Sequence, residues 1–267
     1  MIESNHLLEV AETAAEISGK KLLRFFRHPK LSVNRKYDYP GSIVTNADKE
    51  SERLILSRVK QSHIKSTVIS EEVGRVDYGS REIVWAVDPL DGTLNFAKGI
   101  PHFAVSIGVK VDRRTEAGAI YDPILDEMYT ATRGEGARLN GKKIKVSNPT
   151  TLRNAALIFE WWDPEPSIPD PLGLEKRLYR YTRSLRSPGS IALNLCSIAS
   201  GRFDGMITVY LKSPIWETTA GCLIIEEAGG RVTNSLGKSW EDLSRSIIAA
   251  EPDFQRKLMS FVKAEAK

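Results

Sequence analysis

The 267-residue chain is long enough to bury a sizeable core, either as one large domain or as two closely packed lobes. Its 41% hydrophobic and 27% charged residues exclude a disordered or fibrous protein, and a net charge of +4 is too small to indicate a nucleic-acid partner. Apolar runs stay below the roughly 18 residues of a membrane span, and the acidic N-terminal segment is unlike a signal peptide. We therefore expect a cytoplasmic protein that binds neither nucleic acid nor a membrane.

Two amphipathic helices are predicted in the first part of the chain. Apolar residues recur at helical spacing over residues 5–27 and again over 47–62, with charged residues between them. The stretch after Pro29 is polar and contains Pro and Gly, which predicts a loop between the two helices.

The pattern then changes to short, β-branched apolar runs that are bounded by turn-forming residues, which is typical of strands. Buried strands are predicted at 67–70 and 82–87, and a long antiparallel sheet over 103–147. Asn140-Gly141 predicts a hairpin turn in that sheet, because both residues tolerate positive φ angles.

Helices and strands alternate in the last part of the chain. We expect stacked α and β layers with a boundary near residue 148, which divides the chain into an N-terminal α+β lobe, 1–147, and a C-terminal α/β lobe, 148–267. The elements predicted for the second lobe are a strand at 155–160, helices at 173–184 and 190–200, a strand at 204–209, a helix at 217–228, a strand at 247–250 and a final helix from 251.

Two carboxylates follow one of the predicted buried strands. Asp88 and Asp91 lie just beyond its end, where Pro89 interrupts the strand ladder and Gly92 permits a tight turn. Such a turn can direct both acids and the Leu90 carbonyl toward one point. Hard oxygen ligands that converge in this way suit Mg²⁺ or Mn²⁺.

The residues around these acids strengthen the prediction of a site. An isolated D-x-x-D sequence is usually a solvated surface turn. Here an apolar strand leads into the acids, and burying acids is unfavourable unless something binds there. The backbone amides of Gly92 and Thr93, at the start of a helix or nest, would suit a phosphate.

The segment Asp88-Pro-Leu-Asp-Gly-Thr-Leu-Asn-Phe96 resembles the D-P-[IL]-D-G-T-x-N-F signature of the inositol monophosphatase family of lithium-sensitive, metal-dependent phosphatases. The resemblance extends over residues 44–230 and implies an α+β fold, a layered α-β-α-β-α sandwich of the sugar-phosphatase type with a large antiparallel sheet and a smaller mixed sheet. The other matching segments are Val44–Asp48 (VTNAD), Ser70–Glu72 (SEE), Pro101–Ser106 (PHFAVS), Arg186–Cys196 (RSPGSIALNLC) and Trp216–Gly221 (WETTAG).

The resemblance implies a site for two or three Mg²⁺ ions, or Mn²⁺ in their place. Glu71, Asp88 and the Leu90 carbonyl would hold the first ion, and Asp88, Asp91 and Glu217 would hold the second. Glu217 departs from the family pattern, which has Asp at this position. Because Glu is still a hard oxygen ligand, we interpret the change as retuned metal affinity rather than loss of the site.

The resemblance also assigns catalytic and substrate-binding roles. Asp48, Thr93 and Glu71 would be catalytic, with Asp48 and Thr93 orienting and deprotonating the attacking water. The implied reaction is hydrolysis of a phosphate monoester by direct attack of a metal-activated water, without a nucleophilic side chain. The implied substrate-binding residues are Asp91, Gly92, Thr93, Gly189, Ser190, Ile191, Tyr210 and Lys212.

The substrate is less well defined than the reaction. Tyr210 and Lys212 stand where inositol-preferring members carry an acid, and a lysine suits a second phosphate. This favours a bisphosphate such as fructose 1,6-bisphosphate beside or instead of inositol 1-phosphate. Family members are often dimers, so we expect a homodimer. The expected binding partner of each subunit is a small phosphorylated substrate.

Two other functions stay open. A 3′-phosphoadenosine phosphatase belongs to the same wider group, although the sequence has no evident adenine-pocket signature. A non-catalytic regulatory or RNA-associated family member is the other alternative, with Glu217 as a sign of decay. The other ligand positions match the family, which favours an enzyme.

Overall fold

The computed structural model describes residues 4–36, 43–161, 170–209, 215–240 and 246–263. No helix within these ranges is long and apolar enough to cross a membrane. The helices are α1 (Ser4–Leu23), α2 (Asn46–Gln61), α3 (Thr93–Ala97), α4 (Pro171–Tyr181), α5 (Ile191–Ala199), α6 (Ile215–Glu227) and α7 (Pro252–Lys263).

The larger sheet has eight strands in the spatial order β10-β9-β8-β7-β6-β5-β3-β4. Neighbours are antiparallel except β3 and β5, which are parallel because β4 turns back along the outer side of β3. The strands within 103–147, where an antiparallel sheet is predicted, are antiparallel throughout, and the parallel pair lies before this range. The strands are β3 (Thr67–Ser70), β4 (Gly74–Asp77), β5 (Ile83–Asp91), β6 (Ala104–Val111), β7 (Arg114–Asp122), β8 (Glu127–Thr132), β9 (Gly136–Leu139) and β10 (Lys142–Lys143).

The smaller sheet is mixed, as expected, with the order β12-β11-β13-β15-β14. Its first three strands are parallel and its last three antiparallel. A predicted helix at 173–184 ends earlier, because the backbone is extended at Thr182 and residues 184–186 pair with β11. The strands are β11 (Ala156–Glu160), β12 (Ser184–Arg186), β13 (Gly205–Val209), β14 (Arg231–Thr233) and β15 (Ser246–Ala250).

The helices form three layers around these two sheets. α1 and α2 cover one face of the large sheet, α5 and α6 lie between the two sheets, and α4 and α7 cover the outer face of the small sheet. The predicted α-β-α-β-α sandwich is confirmed. The chain also forms a small two-stranded sheet of β1 (Val33–Arg35) and β2 (Ile43–Thr45), where sequence analysis predicts only a loop. The division into lobes at residue 148 stays a prediction.

Glycines in the large sheet let α6 approach closely. A Cβ atom at Gly108 would lie 2.5 Å from Thr219 Cγ2, and one at Gly118 would lie 2.9 Å from the Ala220 Cα. Side chains there would push the helix away from β6 and β7. The close approach brings Glu217, in the first turn of α6, toward the acids of β5.

Candidate active site

Strand β5 runs through both acidic residues instead of ending before them. Asp88 pairs with Ser106 and Asp91 with Ala104, with a shift of register between the two pairs. The prediction that the strand ends at Val87 is thus wrong. The irregularity accommodates Pro89, which has no N–H to donate. Both acids are buried, with 2% and 6% of their surface exposed.

Asp88 lies among other carboxylates. The Leu90 N–H donates to Asp88 Oδ1 at 3.0 Å. Burial, followed by the charges of Glu71, Asp91 and Glu217, raises the pKa of Asp88 well above its usual value. Burial raises the pKa of the partly buried Glu217 in the same way, and Asp91 and Glu71 add to it. These acids come from β5, the segment after β3, and α6, and a divalent cation would relieve their repulsion.

Glu71 already has a cationic partner. Lys36 Nζ lies 2.8 Å from Glu71 Oε1 and 2.6 Å from Glu72 Oε1. Burial lowers the pKa of the Lys36 ammonium, but the two carboxylates outweigh burial and raise it overall. Sequence analysis missed Lys36, because it lies 35 residues before Glu71, in a segment predicted to be a loop, and no local motif includes it.

Asp91 is held by the N-terminus of α5. The Ser190 hydroxyl and the Ala192 N–H donate to Asp91 Oδ2, the latter at 3.0 Å, and the Ile191 N–H donates to Oδ1 at 3.2 Å. Burial raises the pKa of Asp91 to about 6, although these three donors oppose the shift. Ser190 and Ile191, which the family resemblance places near the substrate, therefore contact a predicted metal ligand.

The predicted metal ligands lie near one another without forming a finished metal site. Within the described ranges, no three His, Cys, Asp or Glu side chains are arranged to hold a metal ion. In this arrangement Glu71 Oε1 contacts Lys36, and both Asp91 carboxylate oxygens accept hydrogen bonds from the start of α5. The buried, mutually repelling oxygens fit Mg²⁺ chemically, so the ligand set of Glu71, Asp88, Leu90, Asp91 and Glu217 stays a prediction.

Asp48 and Thr93 meet beside this acidic cluster. Thr93 Oγ1 lies 3.2 Å from Asp48 Oδ1 and 3.0 Å from the Leu90 carbonyl oxygen. Asp48 is fully buried at the start of α2, where the Thr45 N–H donates to its Oδ2 at 2.8 Å. Burial raises the pKa of Asp48 to about 7 against the Thr45 hydrogen bonds. Such a carboxylate can accept a proton near neutral pH.

Gly92 adopts the left-handed conformation that the predicted turn requires, with φ of 85°, and it caps the short helix α3. A Cβ atom there would lie 2.9 Å from the His102 carbonyl oxygen, so only glycine fits without rearrangement. Gly189 is also left-handed and lies beside Asn95. The roles of Gly92, Thr93 and Gly189 toward phosphate stay predictions.

Tyr210 and Lys212 lie outside the described residues. Sequence analysis missed two buried glutamates on either side of the site, Glu52 of α2 and Glu160 at the end of β11. A charged residue inside a buried helix face or at the end of an apolar strand is the signal that would have identified them.

Glu52 binds the segment that carries Glu71. Its Oε1 accepts hydrogen bonds from the Ser70 hydroxyl, the Glu72 N–H at 3.2 Å and the Val73 N–H at 3.0 Å. Because Glu52 lies one helical turn after Asp48, α2 contributes to both the predicted catalytic base and the support of the Glu71 segment.

Comparisons with known proteins agree with this architecture. The sequence profile of the inositol monophosphatase family matches residues 3–266. Nus factor SuhB from Pasteurella multocida is 36% identical over 261 residues, 97% of this chain and 96% of the relative.

Two solved structures are similar along almost the whole chain. The extragenic suppressor protein suhB from Bartonella henselae matches with a TM-score of 0.90 and 32% identity, over 97% of this chain and 98% of that one. An inositol monophosphatase from Anabaena (Nostoc) sp. PCC 7120 matches with a TM-score of 0.85 and 29% identity, over 98% of this chain and 96% of that one.

The two stacked sheets with an acidic cluster beside them define a protein with the phosphatase fold. The chain belongs to the inositol monophosphatase family.

Proposed function

We propose that the protein is a Mg²⁺-dependent phosphomonoesterase of small sugar or polyol phosphates, such as inositol 1-phosphate and fructose 1,6-bisphosphate. The observation that carries the proposal is the buried Asp88, which faces Glu71, Asp91 and Glu217. Such a group of carboxylates is unfavourable in a folded protein unless a cation binds to it.

The residues present fit the metal that the family implies. Glu71, Asp88 and the Leu90 carbonyl would hold one Mg²⁺ ion, and Asp88, Asp91 and Glu217 a second. Bound Mg²⁺ would lower the pKa of an attacking water and neutralise charge on the transferred phosphate. To serve as a ligand, Glu71 would either bind the ion through Oε2 or exchange the Lys36 ammonium at Oε1 for it.

The protein's own groups supply the proton acceptor. Thr93 Oγ1 can accept a proton from a water while its own proton passes to Asp48 Oδ1, which lies 3.2 Å away. No side-chain nucleophile takes part in this scheme. The amides of Gly92 and Thr93 would bind phosphate oxygens, and Gly189, Ser190 and Ile191 would border the substrate.

Phosphate release is the direct test. The purified protein is incubated with inositol 1-phosphate, fructose 1,6-bisphosphate and 3′-phosphoadenosine 5′-phosphate, each with Mg²⁺ and with EDTA. We expect Mg²⁺-dependent release from the first or second substrate and its loss in Asp88→Asn. Release that persists in EDTA, or only from the nucleotide, would contradict the proposal.

The name Nus factor of the Pasteurella multocida relative favours a second candidate, a regulatory or RNA-associated role without catalysis. The same assay separates the two candidates. A protein that binds Mg²⁺ but releases no phosphate from any of the three substrates would favour the second. Size-exclusion chromatography would test the expected homodimer in the same preparation.

A further inference from the structure

We infer that Glu160 is a positioning residue, which fixes the N-terminus of α5 against Asp91 and thereby sets the geometry of one half of the metal site. The inference rests on the proposed function only for its kinetic consequences. Its metal-binding consequences can be measured on a protein without activity.

Glu160 is fully buried and accepts hydrogen bonds from three directions. The Ser187 hydroxyl donates to Oε2 at 2.6 Å, and the Gly189 N–H and the Asn194 side-chain amide donate to Oε1 at 2.8 and 2.9 Å. A carboxylate with this burial and these partners is not there for solubility. It is a fixed acceptor, and its removal would leave buried donors unpaired.

The partners of Glu160 lie on both sides of the residue that holds Asp91. Ser187 and Gly189 belong to the turn before α5, and Asn194 lies in the first turns of the helix. Ser190, between them, caps α5 and donates its hydroxyl to Asp91. Glu160 therefore binds both the turn and the helix. These hydrogen bonds fix the direction of the Ile191 and Ala192 N–H groups toward Asp91.

The same turn is tied to the predicted phosphate-binding residues. The Asn95 side-chain amide lies 2.9 Å from the carbonyl oxygens of Pro188 and His102, and 3.3 Å from that of Gly189. Asn95 is in α3, two residues after Thr93. Movement of the turn would thus disturb Asp91 and the Gly92–Thr93 segment at once.

Two substitutions of similar size should differ in their effect on the hydrogen bonds of Glu160. Glu160→Met removes every acceptor and leaves the Gly189 and Asn194 donors unpaired. Glu160→Gln keeps one oxygen for those donors, and the Ser187 hydroxyl can rotate to accept from the new amide. We therefore expect Glu160→Met to impair the site and Glu160→Gln to preserve it.

Isothermal titration calorimetry with Mn²⁺ alone gives the primary readout. Loss of a group that orients a metal ligand typically weakens metal affinity by about tenfold to a hundredfold. We expect a weakening of this size in Glu160→Met, an intermediate effect in Glu160→Asp and less than about threefold in Glu160→Gln. If the wild-type protein is active, kcat should be lowest in Glu160→Met, intermediate in Glu160→Asp and closest to wild type in Glu160→Gln.

Glu227→Met is the matched control. Glu227 also holds a loop through backbone amides, those of Gly134 and Gly136 at 2.8 Å each, but it lies at the far end of α6 from Glu217. We expect it to lower the thermal midpoint and leave Mn²⁺ affinity within about twofold of wild type.

The inference would be overturned if Glu160→Met bound Mn²⁺ like Glu227→Met and differed from wild type only in thermal stability. Should Glu160→Met fail to fold, Glu160→Asp decides, and wild-type Mn²⁺ affinity in that variant would overturn the inference. A wild-type protein without phosphatase activity would contradict the proposed function and leave the calorimetric comparison to decide this one.

Discussion

At Asp48, burial and hydrogen bonding act in opposite directions. Burial raises the pKa of its carboxyl, the two Thr45 donors lower it, and the net result is a value of about 7. A carboxylate with this pKa can accept a proton near neutral pH while remaining able to release it again. Cations that bind nearby would favour the charged form and lower the pKa further.

The rate should therefore rise with pH and level off at or below about pH 7, as Asp48 loses its proton. Asp48→Asn should remove this dependence and reduce kcat by about a hundredfold to ten-thousandfold, the usual contribution of a general base. The pH–rate profile of both proteins at saturating Mg²⁺ checks this. A variant that keeps a tenth of the activity would show that Asp48 is not the base.

Lys36 gives a second test at the scale of single residues. In Lys36→Gln, Glu71 and Glu72 lose the ammonium that lies 2.8 and 2.6 Å from them. We expect the thermal midpoint in EDTA to fall and the midpoint in Mg²⁺ to recover most of the difference, because the ion replaces the lost charge.

Lys20→Gln is the control for this prediction. Its partner Glu16 is exposed on α1, and exposed pairs contribute only about 0–1 kcal/mol. We expect its midpoint to change little with or without Mg²⁺. If Mg²⁺ raised the thermal midpoint of Lys36→Gln and of wild type equally, Lys36 would not be part of the metal site.

Only residues that lie within a local motif can be identified as site residues from the sequence. Asp88, Asp91 and Thr93 lie within one short signature, so their proximity is predictable. Lys36, Glu52 and Glu160 act on residues that are distant in the chain, and only the folded sheet brings them together. The contact of Asp91 with Ser190 spans 99 positions, and sequence spacing gives no sign of it.

At the scale of elements, the packing of α6 on the large sheet determines where Glu217 lies relative to the acids of β5. In Gly118→Ala, the new methyl group would meet Ala220 backbone and side chain within 3.2 Å. Overpacking of this kind typically costs about 1–3 kcal/mol. We expect lower stability and weaker metal binding, because displacement of α6 carries Glu217 with it.

Gly205→Ala is a matched control. It crowds Leu258 and Leu157 beside α7, on the other face of the small sheet. It should lower the midpoint of urea unfolding without altering Mn²⁺ affinity by calorimetry. If both variants changed metal affinity equally, the position of α6 would not be what limits the site.

Glu217 itself permits a direct comparison of ligand chemistry. Glu217→Gln should strongly raise the Mg²⁺ concentration for half-maximal activity, because the charge that repels Asp91 and Glu71 is also the one that binds the ion. Glu217→Asp restores the residue usual in the family and should lower this concentration or leave it nearly unchanged. A Gln variant that titrates like the parent would exclude Glu217 as a ligand.

Periodicity predicts the long elements well and their ends poorly. α2, β13 and α7 lie where apolar spacing predicts them. The extension of β5 through Asp91 is not predictable in this way, because Pro89 normally ends a strand and only pairing with β6 retains it. Short strands such as β1 and β12 lack enough residues to show a period.

At the scale of the whole molecule, the layered fold concentrates unfavourable charge in one place. The pKa values of Asp48 and Asp91 rise to about 7 and 6, and those of Asp88 and Glu217 are raised as well, in each case with burial as the largest cause. These acids lie where α2, β5 and α6 meet, and α6 begins more than a hundred residues after β5 ends. Stability and metal binding are therefore linked.

The sign of this linkage determines how the stability of the protein without metal changes with pH. Above the usual carboxyl pKa of about 4, the folded protein without metal holds protons that the unfolded chain has released. Its free energy of unfolding must then fall as pH rises, through about pH 6 for Asp91 and about pH 7 for Asp48, and the raised pKa values of Asp88 and Glu217 act in the same direction. Glu50, whose hydrogen bond with Arg53 lowers its pKa to about 2, loses its contribution only in acid, outside this window. Burial lowers the pKa of His102, so this residue makes the free energy of unfolding rise with pH, but it contributes only one proton.

We therefore expect the thermal midpoint in EDTA to decline between about pH 5 and pH 8, and Mg²⁺ to abolish the decline, since the ion binds the deprotonated carboxylates. Differential scanning calorimetry at four pH values, with EDTA or with Mg²⁺, measures both effects. Asp88→Asn removes one charge from the centre of the cluster, so it should flatten the decline in EDTA and lose most of the Mg²⁺ stabilisation. A midpoint in EDTA that rises with pH, or equal Mg²⁺ stabilisation at pH 5 and pH 8, would show that these carboxylates do not bind the ion.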